Sequence, residues 1–209
     1  MTQRPIWKLS DRTAPLRDFD PVDEFERARS ARLKTDPLRQ DFLHARHLAR
    51  DLACEQLGIS NVKLQSHDDA APEIESYPSA SISWSRSGPL AIAAFSDAGR
   101  VGVDIEKKAK RPVAAMLDMV ANPGERACVL AAMNEDDLLA RFYRLWCAKE
   151  SVLKWRGVGL RGGAKSVLVP DVFLRGDADE DWPLDNETSV GLWFLPVGSD
   201  AVAVMAFSA

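Results

Sequence analysis

The chain has 209 residues, a formal charge of −4 and an apolar share of 46%, enough for one large domain or two small ones around a sizeable core. The acidic balance argues against general nucleic-acid binding, and the absence of a run of about 18 apolar residues argues against a membrane span. Met1-Thr2-Gln3-Arg4-Pro5 lacks the apolar stretch of a signal peptide, and Cys54, Cys128 and Cys147 stand isolated, so reduced thiols and a cytoplasmic setting are expected.

In chain order, residues 1–24 are rich in Pro, Asp and Arg and read as an extended, partly strand-like lead-in. Residues 24–57 carry a helical pattern with a break at Thr35-Asp36-Pro37. Residues 66–78 are a loop on composition. Two or three strands are predicted over 79–105, separated by Arg86-Ser87-Gly88-Pro89 and Asp97-Ala98-Gly99-Arg100, both turn-like. A basic loop, Lys107-Lys108-Ala109-Lys110-Arg111, precedes a helical stretch over 113–133 that is interrupted at Asn122-Pro123-Gly124. A longer helix follows over about 135–155, then a strand-like tail from Val167 with an acidic loop at 177–181. Ala91-Ile92-Ala93-Ala94-Phe95-Ser96 resembles Ala203-Val204-Met205-Ala206-Phe207-Ser208 at a spacing of 112, a hint of an internal repeat.

Two of these segments carry the chemistry. Val101, Val103 and Ile105 alternate on one strand face, which leaves Gly102, Asp104 and Glu106 on the other. Residues two apart on a strand are roughly 7 Å apart, close enough for their side chains to converge on one ion. Unpaired, the two carboxylates would raise each other's pKa. A bound cation relieves that repulsion. In the later helix Phe142, Leu145, Trp146 and Leu153 form an apolar stripe with Glu150 on its flank and Lys154 one turn on. Glu150 and Lys154 read either as a helix ion pair, worth ~0.2–0.5 kcal/mol, or as part of a site. Lys149 falls within the apolar stripe, where a charge is costly unless it is paired or reaches a ligand.

Gly102-Val103-Asp104-Ile105-Glu106, followed by Phe142-Tyr143-Arg144-Leu145-Trp146-Cys147-Ala148-Lys149-Glu150-Ser151-Val152-Leu153-Lys154 and then Gly157-Val158-Gly159-Leu160, resembles the paired signature of 4′-phosphopantetheinyl transferases. Within that superfamily it is similar to the larger, surfactin-synthetase-activating type. The resemblance implies an α+β fold of two similar halves related by a pseudo-twofold, with the active site between them. Residues 1–100 would supply coenzyme A nucleotide contacts, and residues 101–209 the metal and catalytic residues. Such enzymes move phosphopantetheine from coenzyme A to a serine of an acyl- or peptidyl-carrier protein and release adenosine 3′,5′-bisphosphate. A single-chain monomer is expected, because the two halves build one site.

By the same resemblance Asp104, Glu106 and Glu150 would hold Mg²⁺, a hard ion suited to oxygen ligands. Glu150 would act as base, directly or through a water, and Lys154 would contact the diphosphate. Lys149 is either a second phosphate contact or the partner of a nearby carboxylate. The family's Ser-His-Ser appears here as Ser85-Arg86-Ser87, and the resemblance would put Ser85 and Arg86 near the coenzyme's 3′-phosphate. The arginine keeps the positive charge and gains bidentate geometry. Arg46 matches an arginine near the adenosine bisphosphate, and Arg29 and Arg32 resemble a basic pair with a similar role. The Gly-Lys-Pro or Gly-Arg-Pro element expected before the Ser-Trp-Ser-Arg strand is replaced by Ile74-Glu75-Ser76-Tyr77-Pro78. Glu125 is either the counterpart of a family glutamate near the metal or an early-turn acid at a helix N-terminus. His44 and His47 lack further ligands at metal spacing, and the Trp residues read mostly as core. The basic loop is either a carrier-docking surface or a solvated turn. Two rival functions remain: a non-catalytic coenzyme A or carrier-protein binding homologue, and another metal-dependent enzyme acting on a nucleotide diphosphate.

Overall fold

The computed structural model describes residues 4–12, 19–66, 70–158, 163–177, 182–184 and 187–208. Residues 67–69 of the first loop, 159–160 of the closing glycine segment and 178–181 of the acidic loop lie outside the described residues.

The fold is α+β. Its elements are β1 (Ile6–Asp11), α1 (Glu24–Ala31), α2 (Asp36–Leu57), β2 (Leu64–Gln65), β3 (Glu73–Ile74), β4 (Ser81–Ser87), β5 (Leu90–Ser96), β6 (Val101–Lys107), α3 (Val113–Val120), α4 (Pro123–Leu130), α5 (Glu135–Arg156), α6 (Asp171–Arg175), β7 (Trp182–Leu184), β8 (Glu187–Leu195) and β9 (Ala201–Phe207). The main sheets are antiparallel, one in the order β1-β5-β4 and the other β6-β9-β8-β7, beside a small β2-β3 pair. No helix among the described residues is long and apolar enough to cross a membrane. Cys54, Cys128 and Cys147 are free thiols.

Local signals explain the helix boundaries. The break at residues 32–35 separates α1 from α2, where Thr35 is extended and Pro37 sits in the first turn. Gly58, at φ 67°, ends α2, and Ile59 N–H returns to the Cys54 carbonyl. Asn134 caps α5 by accepting from Asp137 N–H at 2.9 Å, and Gly157 closes it at φ 74°. Glu135, Asp136 and Asp137 in its first turn and Lys154 and Arg156 in its last suit the helix dipole. Two features depart from the expected pattern. The tail after Val167 makes the short helix α6 before any strand, started at Pro170-Asp171 and stopped by Gly176 at φ 80°, with Phe173 and Leu174 buried. The loop over 66–78 contains β3, laid against β2.

Each sheet carries a long helix. Leu52 and Ala53 of α2 pack with Ile82, Ala93 and Phe95, whereas Phe142, Leu145, Val152 and Leu153 of α5 pack with Leu192, Val204 and Ala206. Full burial of a large apolar side chain contributes about 1.5–3 kcal/mol, so these stripes anchor α5 firmly. A third cluster, including Ile92, Ala94, Val103, Ile105, Ala203 and Met205, fills the space between the sheets.

The seam between the sheets is unusual. β6 is an edge strand, and its outward N–H groups need partners. The alternate serines of β4 supply them: Ser81 Oγ accepts from Val101 N–H at 3.1 Å, Ser83 Oγ from Val103 N–H at 3.0 Å and Ser87 Oγ from Lys107 N–H at 3.0 Å. Period-two alternation sends Ile82, Trp84 and Arg86 to the opposite face.

Candidate active site

Gly102 sets the distance between β6 and α5. A Cβ there would fall 2.0 Å from the Ser151 carbonyl oxygen and 2.5 Å from the Trp155 nitrogen. Only glycine lets strand and helix approach this closely, and that approach brings Asp104 and Glu106 near Glu150 and Lys154.

Asp104 is 4% exposed. Its Oδ1 accepts from Ser85 Oγ at 2.7 Å and from Lys154 Nζ at 2.7 Å, and Lys154 also donates to the Val103 carbonyl at 3.0 Å. Asp104 Oδ2 is buried and meets no hydrogen-bond geometry with any of the described residues, although the Cys147 thiol interacts with the Asp104 carboxylate. Glu106 Oε2 accepts from Ser87 Oγ at 2.8 Å. Burial raises the Glu106 pKa and Asp104 adds to the rise, against the Ser87 hydrogen bond, Lys154 and Arg111. Glu150 is half-buried and has no hydrogen-bond or ion-pair partner among the described residues. Burial first, then the Asp104 charge, raises its pKa, with Lys154 opposing and Glu106 adding. Beneath them lies the fully buried Cys147 thiol, which sequence reasoning passed over. Burial and the two β6 carboxylates hold its pKa well above the usual thiol value, so it is protonated.

These acids suit a divalent cation with oxygen ligands. The Asp104 oxygen without a partner and the unpaired Glu150 are the observations that fit one. Among the described residues no three His, Cys, Asp or Glu side chains stand close enough together to hold a metal ion as they are placed, so Asp104, Glu106 and Glu150 would have to draw in around one. The Lys154 ammonium instead provides Asp104's counter-charge.

Lys154 also lines an adjoining cavity of about 310 Å³, together with Phe25, Arg29, Arg46 and Trp84. Arg46 is almost wholly buried, with its guanidinium carbon 5.1 Å from the Phe25 ring centre and 5.3 Å from that of Trp84. It donates to Glu26, to Ser66 Oγ at 2.6 Å and to the Leu64 carbonyl at 3.3 Å. Arg50 also donates to Glu26. Burial pushes the Glu26 carboxyl up, but the Val22 amide, Arg46 and Arg50 outweigh it and hold the pKa below its usual value. Glu26 and the cavity role of Trp84 escaped sequence reasoning. A buried acid in an arginine-rich helix carries no compositional mark, and a strand tryptophan reads as core.

The other expected residues divide. Arg29 is exposed at the cavity, whereas Arg32 is exposed at the C-cap of α1 and does not line it. Ser85 turns to Asp104, not to the cavity, and Arg86 is half-exposed without a hydrogen-bond or ion-pair partner among the described residues. Lys149 lies apart from the acids of β6. It is 2% exposed, and its ammonium is 2.8 Å from Glu125 Oε2, 2.7 Å from the Val167 carbonyl and 3.0 Å from that of Ala164. Burial lowers its pKa and Glu125 opposes the shift. Glu125 in turn completes a capping box with Asn122 and accepts from Val169 N–H at 3.0 Å. Of the readings left open for these two residues, the structure shows a buried pair at a helix N-terminus. Ser76, within the substituted element before β4, has φ 69°, a left-handed conformation that favours glycine, and Tyr77 packs on the α2 core.

Clustered acids meeting a cavity through one lysine is the layout of a site for a phosphorylated ligand and a cation. The family model described as the 4′-phosphopantetheinyl transferase superfamily matches residues 100–180. The chain is 30% identical over 160 residues to 4′-phosphopantetheinyl transferase ffp of Bacillus subtilis, covering 75% of this chain and 68% of that protein. It is 32% identical over 105 residues to 4′-phosphopantetheinyl transferase Sfp of Bacillus subtilis strain 168, covering 50% of this chain and 46% of Sfp. The chain belongs to the 4′-phosphopantetheinyl transferase superfamily. The match spans about half the length of Sfp and two thirds of ffp.

Proposed function

We propose that the protein transfers 4′-phosphopantetheine from coenzyme A to a serine hydroxyl of an acyl- or peptidyl-carrier protein, in a Mg²⁺-dependent reaction that releases adenosine 3′,5′-bisphosphate. The observation that carries the proposal is Lys154, which joins the acids of β6 to the cavity wall. Asp104, Glu106 and Glu150 would hold Mg²⁺, which would neutralise charge on the diphosphate. Lys154 would leave Asp104 for the diphosphate, a move that its flexible stem permits. Arg46 and Arg29 line the cavity that would take the nucleotide portion, with Arg86 a further candidate for a phosphate. The carrier serine oxygen forms a new bond to the pantetheine-side phosphorus, and the bond from that phosphorus to the bridging oxygen breaks. Adenosine 3′,5′-bisphosphate leaves with that oxygen. Glu150 would take the serine proton directly or through a water. A carboxylate that holds a cation is a poor base, so the water route is the easier one. Positioning and electrostatics supply most of the acceleration in such a transfer.

The division into residues 1–100 and 101–209, related by a pseudo-twofold, belongs to the same proposal. It is supported by two helices of 22 residues, each ended by a left-handed glycine and each packed on its own sheet. A monomer in the cytoplasm completes it.

Mass spectrometry of apo acyl-carrier and apo peptidyl-carrier proteins, each incubated with the protein, coenzyme A and Mg²⁺ with or without EDTA, tests the proposal. A gain of one phosphopantetheine that EDTA abolishes is expected. Coenzyme A binding without any gain would favour the non-catalytic homologue, a reading kept in play by the departures at Arg86 and over residues 74–78.

A further inference from the structure

We infer that Ser85 and Ser87 are positioning residues for the acidic cluster, orienting Asp104 and Glu106 toward a divalent cation from across the seam between the sheets. The inference rests on the proposed metal-dependent function.

The four serines of β4 do not act alike. Ser81 and Ser83 accept from β6 amides. Ser85 donates its proton to Asp104 Oδ1 at 2.7 Å. Ser87 does both, accepting from Lys107 N–H at 3.0 Å while donating to Glu106 Oε2 at 2.8 Å. Its hydroxyl is therefore locked between the backbone and the carboxylate of a single strand, and the Glu106 head group loses rotational freedom.

Each acid is held at one oxygen and left open at the other. Asp104 Oδ1 is occupied by Ser85 and Lys154 while Oδ2 is buried without a hydrogen-bond partner among the described residues. Glu106 is held at Oε2, with no partner for Oε1 among the described residues. A carboxylate fixed in this way offers a free lone pair in a set direction without reorganisation, as groups behind metal ligands commonly do. The same strand carries Ser83 and Trp84 into the cavity wall. Cavity and acids therefore share one rigid support.

Ser85→Ala, Ser87→Ala and the double variant test this, with Ser81→Ala as a control that loses a seam bond remote from the acids. Mn²⁺ binding in the presence of coenzyme A is measured by titration calorimetry and electron paramagnetic resonance, and transfer and melting temperature are followed alongside. Ser87→Ala and Ser85→Ala are expected to weaken Mn²⁺ binding by about 10–100-fold. Ser81→Ala should lower the melting temperature without changing Mn²⁺ affinity, and Ser87→Thr should restore most of the loss. Affinities within twofold of wild type in both alanine variants, or an equal loss in Ser81→Ala, would overturn the inference and leave the serines as seam bonds only. Normal transfer by the wild type alongside that result sinks the inference alone. Weakened Mn²⁺ binding in the variants of a wild type that transfers nothing sinks the proposed transfer alone. A wild type that binds no Mn²⁺ sinks both.

Discussion

Replacing Gly102 with alanine should damage stability and activity together. The added Cβ would meet the Ser151 carbonyl oxygen at 2.0 Å. To regain an ordinary contact of about 3.4 Å, β6 and α5 must part by ~1.4 Å. Overpacking of this kind costs about 1–3 kcal/mol. At 209 residues, each kcal/mol lowers the melting temperature by roughly 2–4 °C, so a fall of ~2–12 °C is expected. The same shift would carry Lys154 Nζ from 2.7 Å to ~4 Å from Asp104 Oδ1, and a misplacement near 1 Å costs up to about 100-fold in rate. Calorimetry and single-turnover transfer to an apo carrier protein are the assays. A variant that melts with the wild type and transfers within about threefold of it would refute the claim that close approach of strand and helix builds the site.

Glu150→Gln should reduce transfer by about 100-fold or more yet stabilise the metal-free protein at neutral pH. The Glu150 pKa is raised in the fold, chiefly by burial and then by Asp104, so its favourable contribution is complete below the unfolded value and lost as pH rises through the folded one. The advantage of the variant should therefore grow as pH rises above the unfolded glutamate value of about 4.3 and vanish below it. A gap that ignores pH would count against this account. Lys149→Met strands Glu125 and should cost about 3–5 kcal/mol, with coenzyme A affinity intact in the folded protein. Full stability with lost affinity would make Lys149 a ligand contact instead. Ser76→Gly relieves a left-handed serine and should stabilise by about 0.5–1 kcal/mol, measurable by urea titration. A destabilised variant would show that the serine hydroxyl contributes more than its backbone strain costs.

What was legible from the sequence follows from how far each signal reaches. The alternation of residues 101–106 and the periodic stretch over about 135–155 are local patterns, and the elements form there as Val101–Lys107 and Glu135–Arg156. The five residues of α6 are too few to display a period, and they hid in a tail that otherwise becomes strand. Strands are expected over 79–105, but Arg86 and Ser87, which read as turn, continue β4, and nothing local says that its serine hydroxyls meet another strand's amides and carboxylates. Lys149 illustrates the same limit. Its place in an apolar stripe announced the need for a partner, whereas the choice of Glu125 depended on where α4 packs.

The hydroxyl seam along β6 has a kinetic consequence. A sheet ladder opens cooperatively, but a serine rotor can turn away and yield its place to water one bond at a time. Val101, Val103 and Lys107, whose amides rest on serine oxygens, should exchange hydrogen for deuterium through small local openings. Gly102, Asp104 and Glu106 point by alternation toward β9, and should exchange only when the sheet itself comes apart. Along one strand, then, fast and slow amides should alternate residue by residue. The seam between the two sheets would be able to breathe while the strand that bears the acids stays in register.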